Sequence, residues 1–369
     1  MKRLITCTDG TWNRPGITDR GKLVRSNVEL MYNAIHEGKA KDGIIQLKLY
    51  DEGVGSSTFD KKDKLLGGIS GLGIDKNIKD IYKFLMLNFS VGDQIYLFGF
   101  SRGAYTARSL AGFIRNCGIL KPQNIHLVDE AYELYRSRNE YTDPNSDLMK
   151  AFQNNFSFEN ITPIKFIGVW DTVGSLGMPF SFKKQFNHER YKFHDITLDD
   201  SIQYAYHALA IDERRKLFKP ILWELEESTP NNNLPKQVME QRWFAGVHCN
   251  IGGGYEDAGL SNIALNWLIN KAKDTGLNFD LDNLQKLNPK HELIENPHGE
   301  LRNSRTFEYW FWRKVWREVN PGKEKKDTET KNMIKNKTNE WIDETVLKRY
   351  KKDKSYYPKN IRSWIDKNK

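Results

Sequence analysis

Apolar and polar positions along this chain fall into two alternating patterns. Short runs of β-branched and aromatic residues read as buried strands, and each is followed by a longer stretch with a 3.6-residue apolar stripe. Lys2 to Thr8 reads as a first strand, Asn27 to Glu37 as a helix, and Gly43 to Tyr50 as a second strand. A glycine-rich stretch, Gly67 to Gly73, leads into a helix over Ile74 to Asn88, with Ile78, Ile81, Tyr82 and Leu85 on one face. Gln94 to Gly99 predicts a strand, and Ala104 to Arg115 a helix. Further on, Lys165 to Trp170 reads as a strand, Ser201 to Asp212 as a helix, and Leu217 to Leu225 as extended chain. Arg242 to Val247 is a strand and Ser261 to Lys273 a helix. Strands alternating with helices predict an α/β fold. The specific expectation is an α/β-hydrolase-like, mostly parallel, doubly wound sheet with helical insertions or a cap. In such sheets, sites form beyond the C-terminal ends of the strands.

The strand ending at Gly99 runs into Gly99-Phe100-Ser101-Arg102-Gly103, a G-x-S-x-G turn, and then directly into a helix. Strand, sharp turn and helix is the context in which this motif exposes a serine hydroxyl above the sheet edge. Flanking glycines, lacking Cβ, allow strand and helix to approach closely. A serine hydroxyl is a poor nucleophile at neutral pH and needs a base and a place for the developing oxyanion. Asp171 and His248 each follow a predicted strand, and the order Ser101, Asp171, His248 is that of α/β-hydrolases. In this reading His248 takes the Ser101 proton and Asp171 holds the imidazole in the right tautomer. The bland readings are a loop histidine and a turn-capping aspartate. The oxyanion hole is expected from the backbone N–H of Arg102 and from Gly10 or Thr11 in the loop after the first strand. Asp9 has three readings: loop orientation, substrate binding, or a turn cap.

Other chemistry is weaker. Asp9-Gly10-Thr11 resembles part of the haloacid-dehalogenase phosphatase signature, but Cys7 stands where that motif needs its nucleophilic aspartate. A metal site from Asp9, Asp171 and His248 lacks any H-E-x-x-H-type spacing to support it. His207 and Asp212 are expected mid-helix or at a helix end, in buried structural roles. Phe307 to Val319, with Tyr309, Trp310, Phe311, Trp312 and Trp316, reads as an amphipathic helix that packs or caps; membrane docking is the sharper alternative. Met178 to Phe186 is a candidate lid lip.

The totals suit this picture. The chain has 369 residues, 38% of them apolar, with ten tryptophans and nineteen phenylalanines, enough for one large domain with insertions. No stretch approaches the roughly 20 apolar residues of a membrane span. The N-terminus reaches Asp9 too soon for a signal peptide, which predicts cytoplasmic synthesis, with any export by a route that needs none. Cys7, Cys117 and Cys249 form no disulfide framework and no C-x-x-C pair, so a reducing compartment is the default. The formal charge is +9, lysine-heavy towards the C-terminus, which suits an anionic membrane surface or solubility. No nucleic-acid fold signature accompanies it, and no cofactor or metal is called for. Three segments are expected: residues 1–322 as the catalytic domain, 323–340 as a polar lysine-rich loop, and 341–369 packing back.

Several stretches together resemble the α/β-hydrolase family called domain of unknown function 2235, which includes the first class of type VI secretion phospholipase effectors. They are Thr8 to Asn13, Tyr50 to Gly55, Gly99 to Arg108, Val169 to Gly174, His207 to Arg215, Trp243 to His248, Gly252 to Tyr255 and Tyr357 to Asn360. The resemblance implies a serine hydrolase whose nucleophile, acid and base fall on Ser101, Asp171 and His248. For the effector branch it implies ester cleavage in glycerophospholipids. One departure is Asn250, where the family usually carries an aspartate two residues after the histidine. The competing readings are an inactive binding module of the same fold and a metal-dependent phosphoester hydrolase.

Overall fold

A computed structural model describes residues 1–11, 13–53, 71–137, 139–174, 196–225, 236–282, 284, 293–304, 314–320, 325–326, 333–334 and 337–369. The strands of the main sheet are β1 (Lys2–Thr8), β2 (Gly38–Lys39), β3 (Ile45–Asp51), β4 (Gln94–Phe100), β5 (Ile164–Trp170), β6 (Ile202–Ala210), β7 (Val238–Phe244) and β8 (Glu340–Ile342). The helices that position the site are α1 (Asn27–Ala34), α2 (Gly71–Asn88), α3 (Arg102–Cys117), α4 (Val128–Ser137), α5 (Asp147–Phe156), α6 (His248–Gly252), α7 (Gly259–Asp274), α8 (Thr345–Lys352) and α9 (Arg362–Asn368).

Among the described residues the sheet has eight strands in the order β8-β7-β6-β5-β4-β1-β3-β2. Every neighbouring pair is parallel except β2 with β3 at one edge. Alternate side chains enter opposite layers, as strand geometry requires. Leu4, Ile95 and Leu97 join α2, α3, α4 and α5 on one face. Ile5, Tyr96 and Phe98 join α1 and α7 on the other. Both faces are therefore covered, and the central strands read as near-continuous apolar runs. This is the mostly parallel α/β architecture expected from the alternation of patterns.

One expected helix is a strand. Residues 201–212 carry alanines and a leucine with good helix propensity, yet Ile202–Ala210 is β6, between β5 and β7. Nearly every side chain of β6 is buried from both faces, so packing in the sheet outweighs local propensity. The extended stretch expected over residues 217–225 begins as a single 3₁₀ turn, Lys216–Phe218. The amphipathic helix expected over residues 307–319 falls partly outside the described residues, including Tyr309, Trp310, Phe311 and Trp312. Its described part, residues 314–319, is not helical. The Val315 N–H donates instead to the Arg214 carbonyl at 3.2 Å, and just beyond, the Asn320 N–H donates to the Glu340 carboxylate at 3.1 Å. The candidate lid lip, Met178 to Phe186, and most of residues 323–340 also lie outside the described residues.

The C-terminal stretch closes one end of the sheet. Strand β8 pairs with β7, and Val346, Tyr356, Ile361 and Ile365 cluster with Leu209 and Trp243. The Tyr356 hydroxyl donates to Asp212 at 2.9 Å. Among the described residues no helix is long and apolar enough to cross a membrane.

Candidate active site

Ser101 stands between β4 and α3 in a strained conformation, φ 57° and ψ −118°. Such a conformation costs of order 1–3 kcal/mol and persists where surrounding contacts over-determine it. Two glycines make it feasible. A Cβ on Gly103 would lie 2.1 Å from the Thr8 carbonyl oxygen, and one on Gly99 would lie 2.5 Å from that of Gly103. The start of α3 thus rests directly on the end of β1. The Ser101 N–H donates to the Trp170 carbonyl at 3.0 Å, tying the turn to the end of β5.

Asp171 follows β5 and is also left-handed, at φ 41°. Its N–H donates to the Ala208 carbonyl at 2.8 Å, and the Thr172 N–H donates to His207 Nε2 at 3.0 Å. His207 Nδ1 in turn faces Gln241 Oε1 at 3.2 Å, which makes the Nδ1–H tautomer the consistent one. Burial, reinforced by the Arg108 charge, pushes its pKa down to about 3, so it stays neutral. His207 is a strand residue that pins the Asp171 turn, in the buried structural role expected for it but on a different element.

His248 opens α6 after β7. Asp212 accepts from the Gly246 N–H at 2.8 Å, and burial pushes the Asp212 carboxyl up to about 6. Asn250, the departure from the family pattern, is almost fully buried. Its Oδ1 accepts from the Val247 N–H at 3.3 Å and its Nδ2 donates to the Glu300 carbonyl at 3.0 Å. A carboxylate has no proton for that second bond, so the amide is matched to its surroundings.

The three side chains meet. His248 Nε2 lies 2.8 Å from Ser101 Oγ, and His248 Nδ1 lies 2.5 Å from Asp171 Oδ2. With the proton on Nδ1 donated to Asp171, Nε2 is left to accept from the serine hydroxyl. All three residues are buried, Ser101 at 8% exposure and His248 at 4%. Phe100 lies over the imidazole at 4.6 Å, and Phe218 meets it edge-on at 4.9 Å. Burial holds His248 below the ordinary histidine value, with the Asp171 hydrogen bond and charge pulling the other way. Burial alone would raise the Asp171 carboxyl, but Arg317 and the His248 hydrogen bond hold it well below the usual carboxylate range.

Asp9 belongs to a separate network. It accepts from the Gly10 N–H at 2.6 Å, Asn13 Nδ2 at 3.1 Å, the Tyr50 hydroxyl at 2.7 Å and the Ser26 hydroxyl. Burial pushes its carboxyl up, against those hydrogen bonds. The loop it anchors lies against the serine: a Cβ on Gly10 would be 3.4 Å from Ser101 Cβ. The Gly10 N–H, one of the donors expected for an oxyanion, donates here to Asp9. The Thr11 hydroxyl has no partner among the described residues. Among the described residues none of these Asp9 bonds reaches the Asp171–His248 pair, and no three His, Cys, Asp or Glu side chains are grouped to hold a metal ion.

Two residues with no local sequence signal complete the site. Phe218 supplies the ring edge against His248. Arg317, from the stretch whose spacing predicts an amphipathic helix, forms a two-pronged pair with Asp171.

Comparison with known proteins places the chain in a family. Residues 2–271 match the family model described as the type VI secretion system phospholipase effector Tle1-like catalytic domain. Uncharacterized protein YEL023C of Saccharomyces cerevisiae is 30% identical over 267 residues, 68% of this chain but 35% of the yeast protein. The chain therefore spans about a third of that relative. Among solved structures, an uncharacterized protein from Pseudomonas aeruginosa has a TM-score of 0.42 at 15% identity, over 77% of this chain and 47% of the other. The Tle1 effector bound to the VgrG spike of the type VI secretion system has a TM-score of 0.38 at 19% identity, over 70% and 52%.

Proposed function

The chain belongs to the family of Tle1-like phospholipase effector catalytic domains, and from that premise we propose that it is a serine hydrolase cleaving an acyl ester of a glycerophospholipid. The observation that carries this reading is the continuous relay from Ser101 Oγ through both nitrogens of His248 to Asp171, at 2.8 and 2.5 Å. Ser101 Oγ attacks the acyl carbonyl carbon while His248 Nε2 takes the hydroxyl proton. The tetrahedral oxyanion is met by the Arg102 N–H and by Thr11, with Gly10 shaping the loop rather than donating. Collapse breaks the bond to the glycerol oxygen, which leaves with the proton from His248. A water then attacks the acyl-enzyme, gives its proton to His248, and releases fatty acid as Ser101 recovers its own. Asp171 stays ionised and stabilises the imidazolium in both halves. Asp9 orients the loop that lies against Ser101.

The substrate class rests on the family and on the lysine-rich charge of +9, which suits approach to an anionic lipid interface. We assign residues 1–322 as the catalytic unit, 323–340 as a polar connection and 341–369 as a segment folded back onto it. The packing of Val346 and Ile365 against Leu209 supports that division.

The test is mass spectrometry of a phospholipid extract incubated with wild type and with Ser101→Ala, alongside labelling by a fluorophosphonate. Lysophospholipid and free fatty acid, appearing only with wild type and matched by labelling at Ser101, are the expected result. No labelling and no ester cleavage by wild type would select a binding module. Activity kept by Ser101→Ala but abolished by chelation would select a metal-dependent hydrolase.

A further inference from the structure

We infer that Arg317 is a positioning residue for the Ser101–His248–Asp171 relay, acting through Asp171 and the Phe218 backbone; this rests on the hydrolase reading above. Nη1 donates to Asp171 Oδ1 at 2.6 Å and to the Ala210 carbonyl at 2.9 Å. Nη2 donates to Asp171 Oδ2 at 2.9 Å and to the Phe218 carbonyl at 2.6 Å. One planar fork thus joins the end of β5, the end of β6 and the turn that presses a ring edge on His248. The Arg317 side chain is 4% exposed and that of Asp171 fully buried, so water has little access to the pair.

Two consequences follow. Asp171 Oδ1 also accepts from the Ala210 N–H at 3.0 Å, so Arg317 and this amide fix the rotation of the carboxylate and point Oδ2 at His248 Nδ1. A carboxylate buried with only a neutral imidazole and one amide would tend to take up a proton; the adjacent cation keeps it ionised. Lysine would supply the charge but not the two parallel donors. An apolar side chain would supply neither.

The charge has a readout that a merely structural role would not move. Asp171 and His248 titrate as a coupled pair. Removing a cation beside the pair makes it easier to protonate, whichever member takes the proton. The acid limb of activity therefore moves to higher pH. Other charged or titratable groups face the pair: Arg215 and Glu213 towards His248, and His207 towards Asp171. They are unchanged in the variants and cancel in the comparison.

The experiment compares wild type, Arg317→Lys and Arg317→Met, each as the whole 369-residue chain, across the histidine titration range, with kcat and KM for a short acyl ester and the rate of fluorophosphonate labelling. Active protein is counted by the final extent of labelling, so partial misfolding does not mimic slow chemistry. Arg317→Met is expected to lose about 10²–10³ in kcat with little change in KM. Its acid limb is expected to rise by about one pH unit. Arg317→Lys is expected to keep the wild-type limb but lose about tenfold in kcat. If Arg317→Met does not fold, Arg317→Lys still decides: wild-type kcat there overturns the proposal. An unmoved limb and unchanged kcat in both variants overturn it as well. Wild type that neither labels nor hydrolyses would sink the hydrolase reading itself, a result separate from either of these.

Discussion

Replacing Asp171 by asparagine tests the site on two axes at once. The side chain accepts from His248 at 2.5 Å, from the two Arg317 nitrogens at 2.6 and 2.9 Å, and from the Ala210 N–H at 3.0 Å. An amide of the same shape has one acceptor oxygen and an NH₂ that takes the place of either Oδ2 or Oδ1, each of which accepts from Arg317. In the place of Oδ2 it also faces His248 and favours the wrong tautomer, with a rate loss of about 10⁴ in kcat. In the place of Oδ1 it opposes its donors to those of Arg317 and the Ala210 N–H. In either case Arg317 loses its counter-charge while buried. Breaking a buried pair on one side costs about 3–5 kcal/mol. Asp171→Asn should therefore lose stability as well as rate, whereas Ser101→Ala should lose only rate. The double variant Asp171→Asn, Arg317→Met removes the stranded charge, so it should regain most of the stability and none of the activity. Urea unfolding at neutral pH and hydrolysis of a short acyl ester measure the two quantities. Neutral pH is the right condition. A carboxylate held below its usual range contributes stability that is fully present above that range and is lost only as pH falls through the folded value. Asp171→Asn within about 1 kcal/mol of wild type and within tenfold of its rate would refute the reasoning.

Two further outcomes follow from the same geometry. Because burial holds His248 below the ordinary histidine value, the acid limb of kcat/KM for wild type should fall below about pH 6.5; a limb at or above it would count against His248 as the base. Gly103→Ala would set a Cβ 2.1 Å from the Thr8 carbonyl oxygen and 2.4 Å from that of Asp9, both backbone atoms with no rotamer to escape into. It should cost about 3 kcal/mol in a denaturant titration and most of the activity. Gly174→Ala, whose Cβ would find Ile221 at an ordinary 3.6 Å, should stay within about 0.5 kcal/mol.

Much of the fold was legible because it is local. Apolar runs ending at Thr8, Gly99 and Trp170, each closed by a polar turn, identify strands without reference to anything distant. The motif around Ser101 carries its own geometry, since the close approach at Gly99 and Gly103 involves neighbours in sequence as well as the end of β1. The misread stretch, Ile202–Ala210, shows the limit of local evidence. Its alanines suit a helix, and only burial between two neighbouring strands makes it extended. His207 and Asp212 are buried and hydrogen-bonded, as their setting in the sequence predicts, but on a strand and its exit rather than a helix.

Residue types and strand ends, read along the chain, were enough to single out a hydroxyl, a carboxylate and an imidazole as candidates; it is the family resemblance that marks Asn250 as a departure. Which atoms meet was decided by the parallel sheet, which brings positions 147 residues apart to one rim. Arg317 and Phe218 could not be found that way. Arg317 lies in the stretch whose spacing predicts an amphipathic helix and Phe218 in one that reads as extended chain; neither pattern marks a site residue, and a hydrogen-bonding fork acquires its meaning only when folding delivers its acceptors. The amide at 250 became intelligible in the same way, once a carbonyl from position 300 stood where only a donor could meet it.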